Sequence, residues 1–482
     1  MNAVSAPTAV ADSIAAEETT ARRFPRTLLG ILVIGALLRV GLILLCDPGQ
    51  GTSIIDERDY NLLAINLLQH GQFAIHEGQI CASRPPLYPA MIAAIYSVAG
   101  IENFQAVRFV QAGLGLILVW QVYLLASRLF DRRTGLVAAA VTSFYPELVG
   151  FSVLLLSEIL FSVFLLAGLL ALQKYWKSSS LLKLAEAGVW FGVATLTRSV
   201  LWPFVPVFGL YVFVTDKSSL IRRTAAATIA MVAFIAPIAP WTYRNMQLEH
   251  TFIAVDVLGG RNLMMGNYEH TLEYRAWDTI TVHGTKSWDQ TLAVETPNYR
   301  ELTQGQRDKL AMSRGLRYIS DHPLVFLRRS TIKFFNFWQL PRTLIAGLAD
   351  GRWGEFSKLT IWSTAGVMFT SYTVCLLVGV CGFLLLPPDD RRMHWFLLLI
   401  VTFVCAVHTV VFAHARYHLA LMPLLFVYAA QGLLHWRELW AARSSKVGWL
   451  AVTVCTLLIG SWLWQALWVE GERIRTWMQS VT

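Results

Sequence analysis

The side chains able to do chemistry fall into a few short stretches. Asp56-Glu57-Arg58-Asp59-Tyr60 opens an amphipathic run in which Tyr60, Leu63, Ala64, Leu67 and Leu68 share one face. Arg84-Pro85-Pro86-Leu87-Tyr88-Pro89 follows. Further on stand Glu147, Glu158, Arg198, Tyr243-Arg244-Asn245, and the group His414, Arg416 and His418. A carboxylate can take a proton from an incoming hydroxyl. Arginines grip phosphate oxygens through a planar fork of donors. Together these groups suit a substrate with an anionic phosphate at a membrane surface and a lipid tail between helices. Such a reaction is glycosyl transfer from a polyprenyl-phosphate sugar, with the phosphate as anchor and leaving group. No nucleotide is needed, and no Walker loop or GxGxxG fingerprint occurs, so ATP and NAD find no support.

Each residue also has a plainer reading. Asp56 and Glu57 alone would be solvated loop charges about as often as catalytic ones. A lone Arg84 near an interface commonly snorkels to headgroups, and Arg39 inside an apolar run snorkels or pairs. Glu158 is as readily a satisfied structural carboxylate. His414 and His418 have i, i+4 spacing, but no HExxH pattern supports a metal there. Pro387-Pro388-Asp389-Asp390 reads as a turn. The six cysteines show no CxxC or zinc spacing; a Cys46–Cys81 disulfide is conceivable, and two unpaired buried thiols are the commoner outcome.

The elements that must position these groups are set by lipid. Of 482 residues, 55% are hydrophobic and 15% charged, where a soluble domain carries about 25% charged residues. The mean hydropathy is +0.50. A formal net charge of +9 would suggest nucleic acid as partner for a soluble chain, but here it reflects membrane topology. Apolar runs predict eleven spans: 28–46, 104–129, 135–150, 151–172, 182–197, 200–214, 224–243, 359–386, 394–413, 417–434 and 447–468. The apolar run Leu87–Ala99 is short of the roughly 20 residues that a span needs. Basic residues decide its place. If it lies in the interface, Arg128, Arg132 and Arg133, then Lys174, Lys177 and Lys183, then Lys217, Arg222 and Arg223, then Arg391 and Arg392, then Arg437, Arg443 and Lys446 all face the cytoplasm. If it spans, all of them lie outside. It is therefore read as a juxtamembrane helix.

The expected organisation is a disordered cytoplasmic tail over 1–27 and an N-terminal transmembrane catalytic module over 28–243, with an outside loop at 47–103. A larger mixed extracytoplasmic segment over 244–358 follows, then C-terminal transmembrane helices over 359–468 and an outside tail over 469–482. Within the extracytoplasmic segment, Phe326 to Trp338 reads as an amphipathic helix on the outer leaflet. No internal repeat is seen, so the inverted-repeat pattern of many transporters is missing. All the unusual polar groups then share one side and one depth. The fold class is an all-α polytopic membrane protein.

In this order the motifs resemble the GT-C glycosyltransferases, in the bacterial branch related to protein O-mannosyltransferases and the lipid A aminoarabinose transferase. The resemblance is carried by Asp56-Glu57 with Tyr60 and Gly71, by Arg84-Pro85-Pro86-Leu87-Tyr88-Pro89, and by Leu156-Ser157-Glu158 and Leu196-Thr197-Arg198. Pro240-Trp241 with Arg244-Asn245, Gly259-Gly260-Arg261-Asn262-Leu263, Gly266-Asn267 and Arg416-Tyr417 continue it. It runs from Leu28 to Leu434. It implies a lipid-linked donor and an acceptor (lipid, glycan or protein) met on the outer face of a bacterial inner membrane. It places Asp56 and Glu57 at the catalytic centre, with Asp56 as general base and Glu57 either assisting it or holding a divalent metal. Metal use differs among relatives, so the resemblance leaves a metal open. Arg84, where relatives often carry lysine, would contact phosphate or acceptor, and Arg416 the donor phosphate. Tyr88, Glu158, Arg198, Arg244 and His414 complete the expected donor- or acceptor-binding set. No soluble domain follows the last span and no WWDYG run occurs, unlike an oligosaccharyltransferase catalytic subunit. The competing function is a lipid or glycan flippase without transferase activity, which needs polar residues along a path to both faces. A scaffold that merely binds a polyprenyl carrier would tolerate loss of Asp56 but not of Arg416.

Overall fold

The computed structural model describes residues 25–472 and residue 475; the expected tail over 1–27 and the end of the 469–482 tail lie largely outside them. Among the described residues the regular structure is helical, with only isolated bridges at Ala74 with Ile80 and Arg352 with Gly354. The protein is an all-α polytopic membrane protein. Among the described residues seven helices are long and apolar enough to cross a bilayer: Arg26–Leu45, Phe104–Leu129, Glu158–Ser178, Lys358–Leu385, Arg391–Val410, Ala415–Leu434 and Lys446–Val469. An eighth span would be the pair Leu220–Ile235 and Ala239–Glu249, bent by 55°.

All eleven expected runs are built around helix, but three fall short of a span by themselves. The run at 135–150 becomes Arg132–Phe144 followed, after a break at Tyr145, by Pro146–Gly150. Pro146 cannot donate within a helix and so starts a new one. Leu181–Thr197 has 17 residues. The run at 200–214 begins as the 3₁₀ turn Ser199–Phe204 before Val205–Thr215. Leu87–Ala99 is a helix of 13 residues. At 1.5 Å per residue it measures about 20 Å, short of a hydrocarbon core of about 30 Å.

The largest departure is the run at 151–172. Helix begins only at Glu158, and residues 151–157 are irregular yet buried. Buried irregular backbone must find partners within the protein. Here they are side chains. Arg108 Nε donates to the Val153 carbonyl at 3.1 Å, and Gln111 Nε2 to those of Ser152 and Leu154 at 3.2 and 2.8 Å. The Leu155 amide donates to Glu57 Oε1 at 3.0 Å. This short stretch therefore aims Ser157 and Glu158 at one end of the bundle.

Burial is inverted on several helices, as lipid solvation requires. On Arg26–Leu45, Leu37, Leu44 and Leu45 are exposed while Arg39 is buried. Arg39 does not snorkel. Its Nη1 donates to the carbonyls of Gly35 and Ser143, each at 3.0 Å. On Pro323–Phe337, which overlaps the stretch Phe326 to Trp338 expected to lie on the outer leaflet, Leu324, Leu327 and Phe334 are exposed. Its inward face carries Arg329 and Lys333. Arg329 donates to the Tyr268 carbonyl at 2.8 Å, and Lys333 Nζ to Asn267 Oδ1 and the Val410 carbonyl at 3.0 and 3.1 Å. Arg329 thus braces the 244–358 segment internally, and Lys333 ties it to the helix Arg391–Val410. That segment has its own small core of Met264, Tyr268, Leu292, Tyr299 and Ala311. Gly260 lets Gly259–Gly266 lie against Gln304–Asp321, since a Cβ there would sit 1.8 Å from the Asp308 carbonyl oxygen.

Candidate functional site

The helix Ile55–His70 places Asp56, Asp59 and Tyr60 together at i, i+3 and i+4. Glu57 is turned away by one residue. Its Oε2 accepts from the Ile54 amide at 3.0 Å, closing the helix N-terminus, while Oε1 takes the Leu155 amide. The two acidic neighbours thus have different surroundings: Glu57 is bound to main chain, and Asp56 to charge.

Asp56 sits between two guanidiniums. Arg84 Nη2 lies 2.7 Å from Asp56 Oδ1 and 2.8 Å from Asp59 Oδ2. Arg416 Nη2 donates to Asp56 Oδ2. Arg416 Nε also lies 3.1 Å from Glu158 Oε1, and Arg198 Nη1 lies 2.8 Å from the same oxygen. Three arginines and three carboxylates therefore alternate through one continuous cluster. Arg84 comes from the loop before Leu87–Ala99, Arg198 from the break between two short helices, and Arg416 from the 3₁₀ turn Ala415–Leu421. All three sit at ends or breaks, where a side chain can reach a shared cleft.

Aromatic rings form the walls. Arg198 and Arg416 lie over the Tyr417 ring, at 5.5 and 5.7 Å from its centroid, and Arg84 lies 5.8 Å from that of Tyr60. The Tyr60 hydroxyl and Arg198 Nη1 each approach Ser157 Oγ at 3.4 Å. Tyr88 meets Tyr60 edge-on at 4.8 Å and donates its hydroxyl to Gln111 at 2.6 Å, so it props the wall rather than entering the charged cluster.

Electrostatics separate the carboxylates further. Burial alone would raise the Asp56 pKa, but the charges of Arg416 and Arg84 outweigh it and hold this carboxyl well below the usual range. Glu57 moves the opposite way: burial raises it despite its two backbone donors. Asp256 is pushed up to about 6, chiefly by burial. His414 is lowered to about 3 by burial and then by the charge of Arg416. It is therefore neutral at physiological pH, and its Nδ1 accepts the Arg416 backbone amide at 3.1 Å.

Of the residues singled out in the sequence, Asp56, Arg84, Glu158, Arg198 and Arg416 converge, with His414 behind Arg416. Arg244 lies elsewhere. Its Nη1 donates to the Cys81 carbonyl at 2.7 Å, and it stacks over Trp241 at 4.6 Å. Glu147 is buried beside Tyr145 without a cationic partner among the described residues. His418 is buried, with Nδ1 2.6 Å from the Phe337 carbonyl. Cys46 and Cys81 are both free and buried. Among the described residues no three His, Cys, Asp or Glu side chains group to hold a metal ion. In this arrangement the Asp56 oxygens face Arg84 and Arg416, and the Glu57 oxygens accept from the Ile54 and Leu155 amides.

Three contributors stood within the quoted motifs without a role of their own. Asp59 shares Arg84, and its signal was the i, i+3 spacing from Asp56. Ser157 carries no sequence signal beyond its place before Glu158. Arg261, beside Trp288 at 5.6 Å, has its pKa lowered by burial and then by the charge of Arg84, with Asp59, Asp308 and Asp56 opposing.

Residues 83–243 match the family model described as dolichyl-phosphate-mannose-protein mannosyltransferase. The resemblance to this glycosyltransferase family therefore holds over the stretch bearing Arg84, Glu158 and Arg198. No curated protein matches the sequence. Among solved structures, the apo oligosaccharyltransferase of Archaeoglobus fulgidus is similar at 16% identity and a TM-score of 0.49, over 91% of this chain and 55% of that one. ArnT from Cupriavidus metallidurans bound to undecaprenyl phosphate is similar at 14% identity and a TM-score of 0.40, over 84% of this chain and 76% of that one. The chain thus spans about half the length of the archaeal enzyme it matches.

Proposed function

We propose that the protein transfers a sugar from a polyprenyl-phosphate donor to an acceptor hydroxyl or phosphate at the outer face of a bacterial inner membrane. The observation that carries this reading is the alternating cluster of Asp56, Asp59 and Glu158 with Arg84, Arg198 and Arg416. The cluster is neutral without substrate. A donor phosphate entering it competes with carboxylates for the same guanidiniums, which are well matched to its oxygens. In this reading the phosphate draws Arg416 and Arg84 partly away from Asp56. Losing a cationic partner raises the proton affinity of Asp56 toward that of a working base.

The transfer then follows a balanced course. Asp56 takes the proton of the acceptor as its oxygen bonds to the sugar's anomeric carbon. The bond from that carbon to the phosphate oxygen breaks, and polyprenyl phosphate departs with the electron pair. The arginines receive the negative charge that grows on the leaving phosphate. Glu57 keeps the Ile54 and Leu155 amides and so positions both Asp56 and the 151–157 turn. The family match over residues 83–243 supports a lipid-linked donor, whether hexosyl or pentosyl. The positive-inside pattern supports a cytoplasmic N-terminus and an outward site.

Mass spectrometry of envelope glycolipids, glycans and proteins from a deletion strain tests this reading. One sugar modification should vanish, return with the wild-type gene, and stay absent with Asp56→Asn. An unchanged envelope, or restoration by both genes, would remove the assignment.

A further inference from the structure

A second pair of arginines stands apart from the cluster around Asp56. Arg275 precedes the turn Ala276–Thr281, and Arg342 precedes the helix Thr343–Ala349. Both point at one atom, Glu470 Oε1, from 3.5 Å (Arg275 Nε) and 3.2 Å (Arg342 Nη1). Glu470 follows the last apolar helix and is only 5% exposed. Arg275 also meets Asp278 at 3.1 Å, and Arg342 donates to Gln339 at 2.6 Å.

One carboxylate oxygen is a poor match for so many donors. Arg275 Nε lacks hydrogen-bond geometry to it, and Arg275 Nη1 is buried without a hydrogen-bond partner. Buried guanidinium N–H groups left unmade are costly. A tetrahedral oxyanion, with three or more acceptor oxygens, would satisfy them better than Glu470 does. The surroundings fit a headgroup. Trp464 packs against Tyr274 at 5.5 Å, and Trp468 is 75% exposed at the end of the last span, as interfacial tryptophans are.

We propose that Arg275 and Arg342 form a second phosphate-binding site at the membrane surface, and that Glu470 is a tethered stand-in for the ligand. The shared chemistry is a phosphate oxyanion, supplied by an anionic phospholipid headgroup or by a soluble phosphate. Glu470 occupies the site in the resting protein and leaves when a phosphate enters. An internal competitor reduces apparent affinity by the fraction of time it holds the site. The site also borders the first cluster. Trp277, which Arg275 covers at 5.4 Å, meets His414 edge-on at 5.2 Å, and His414 accepts the Arg416 amide.

The test compares the delipidated full-length wild type with Glu470→Gln and with the double variant Arg275→Gln, Arg342→Gln. One arm titrates inorganic phosphate in neutral detergent. The other titrates phosphatidylglycerol, followed by native mass spectrometry. Thermal melting reports folding of each variant. Glu470→Gln keeps the shape and removes the competing charge, so it should bind one or both probes about tenfold more tightly. The double arginine variant should lose that binding. Gain in the lipid arm alone identifies a headgroup site, and gain with inorganic phosphate alone identifies a soluble ligand; both support the proposal. Equal or weaker binding of both probes by Glu470→Gln overturns it. If the double variant does not fold, Arg342→Lys, which keeps charge but loses the fork, should weaken binding at least severalfold; unchanged binding would again overturn the proposal.

Discussion

Two sets of buried charges in this molecule differ in what satisfies them. Arg39, Arg108, Arg329 and Glu57 are bound mainly to backbone groups. Asp56, Arg84, Arg198, Arg416 and Glu158 are bound mainly to one another. Backbone partners cannot leave without breaking the fold, so the first set is fastened. Charged side chains can exchange partners with a bound ligand, so the second set can act. Depth of burial does not tell them apart: Glu57 and Glu158 are both almost fully buried.

Adjacent residues give the sharpest way to break this comparison. Asp56→Asn should lower transfer by roughly 10²–10⁴-fold, as loss of a general base does, in protein that still folds, since the remaining carbonyl oxygen can accept from one of the two arginines. Glu57→Gln should do the reverse. It leaves one amide without an acceptor, which costs about 1–3 kcal/mol, and the surviving folded protein should retain most of its activity per molecule. A reversal of these two outcomes, measured by donor turnover and thermal melting, would exchange the assigned roles.

Arg416→Gln comes next. Loss of one charge-assisted contact of about 1.5–3 kcal/mol should weaken donor binding about 10- to 100-fold. The matching change in the fastened set is Arg108→Met. It removes donors to the carbonyls of Val153, Asp47 and Gln50. Stability should fall by about 3 kcal/mol, while the apparent donor affinity of folded protein stays near the wild-type value.

The fold was readable to the extent that hydropathy determines it. Eleven apolar runs found helices, because lipid leaves the backbone few alternatives. The irregular stretch at 151–157 was not readable, since its apolar composition matches a span. Only Arg108, Gln111 and Glu57, distant in sequence, explain why it stays unwound. Likewise the arginines of Pro323–Phe337 carry the composition of a headgroup-facing stripe. Arg328 does stay exposed, but the inward direction of Arg329 depends on carbonyls at Tyr268 and Thr271 that composition cannot locate. At the site, residue types pointed to Asp56, Arg84 and Arg416. The role of Asp59 depended on helical phase, and the split between Asp56 and Glu57 on contacts with Ile54 and Leu155.

The smallest expected effect concerns Asp256, which borders the first cluster. Its folded pKa is raised to about 6 by burial. A raised carboxyl pKa means that the folded state is penalised once pH climbs past the ordinary carboxylate range and through 6. Asp256→Asn removes that penalty. Its melting temperature should match wild type near pH 3, where the carboxyl is protonated in both states, and exceed it by a few degrees at pH 8. Equal melting at both values would place Asp256 in a more solvated setting.

The central claim is that Asp56 is an exchangeable base rather than a structural anion. Its most direct test uses wild type and Asp56→Asn reconstituted in liposomes with a polyprenyl-phosphate sugar and the acceptor found from the envelope comparison. Donor binding and release of polyprenyl phosphate are followed in the same sample by mass spectrometry. The account predicts that Asp56→Asn binds donor at least as well as wild type, because a competing carboxylate is gone, yet releases almost no polyprenyl phosphate. Release at the wild-type rate by a folded Asp56→Asn protein would contradict it.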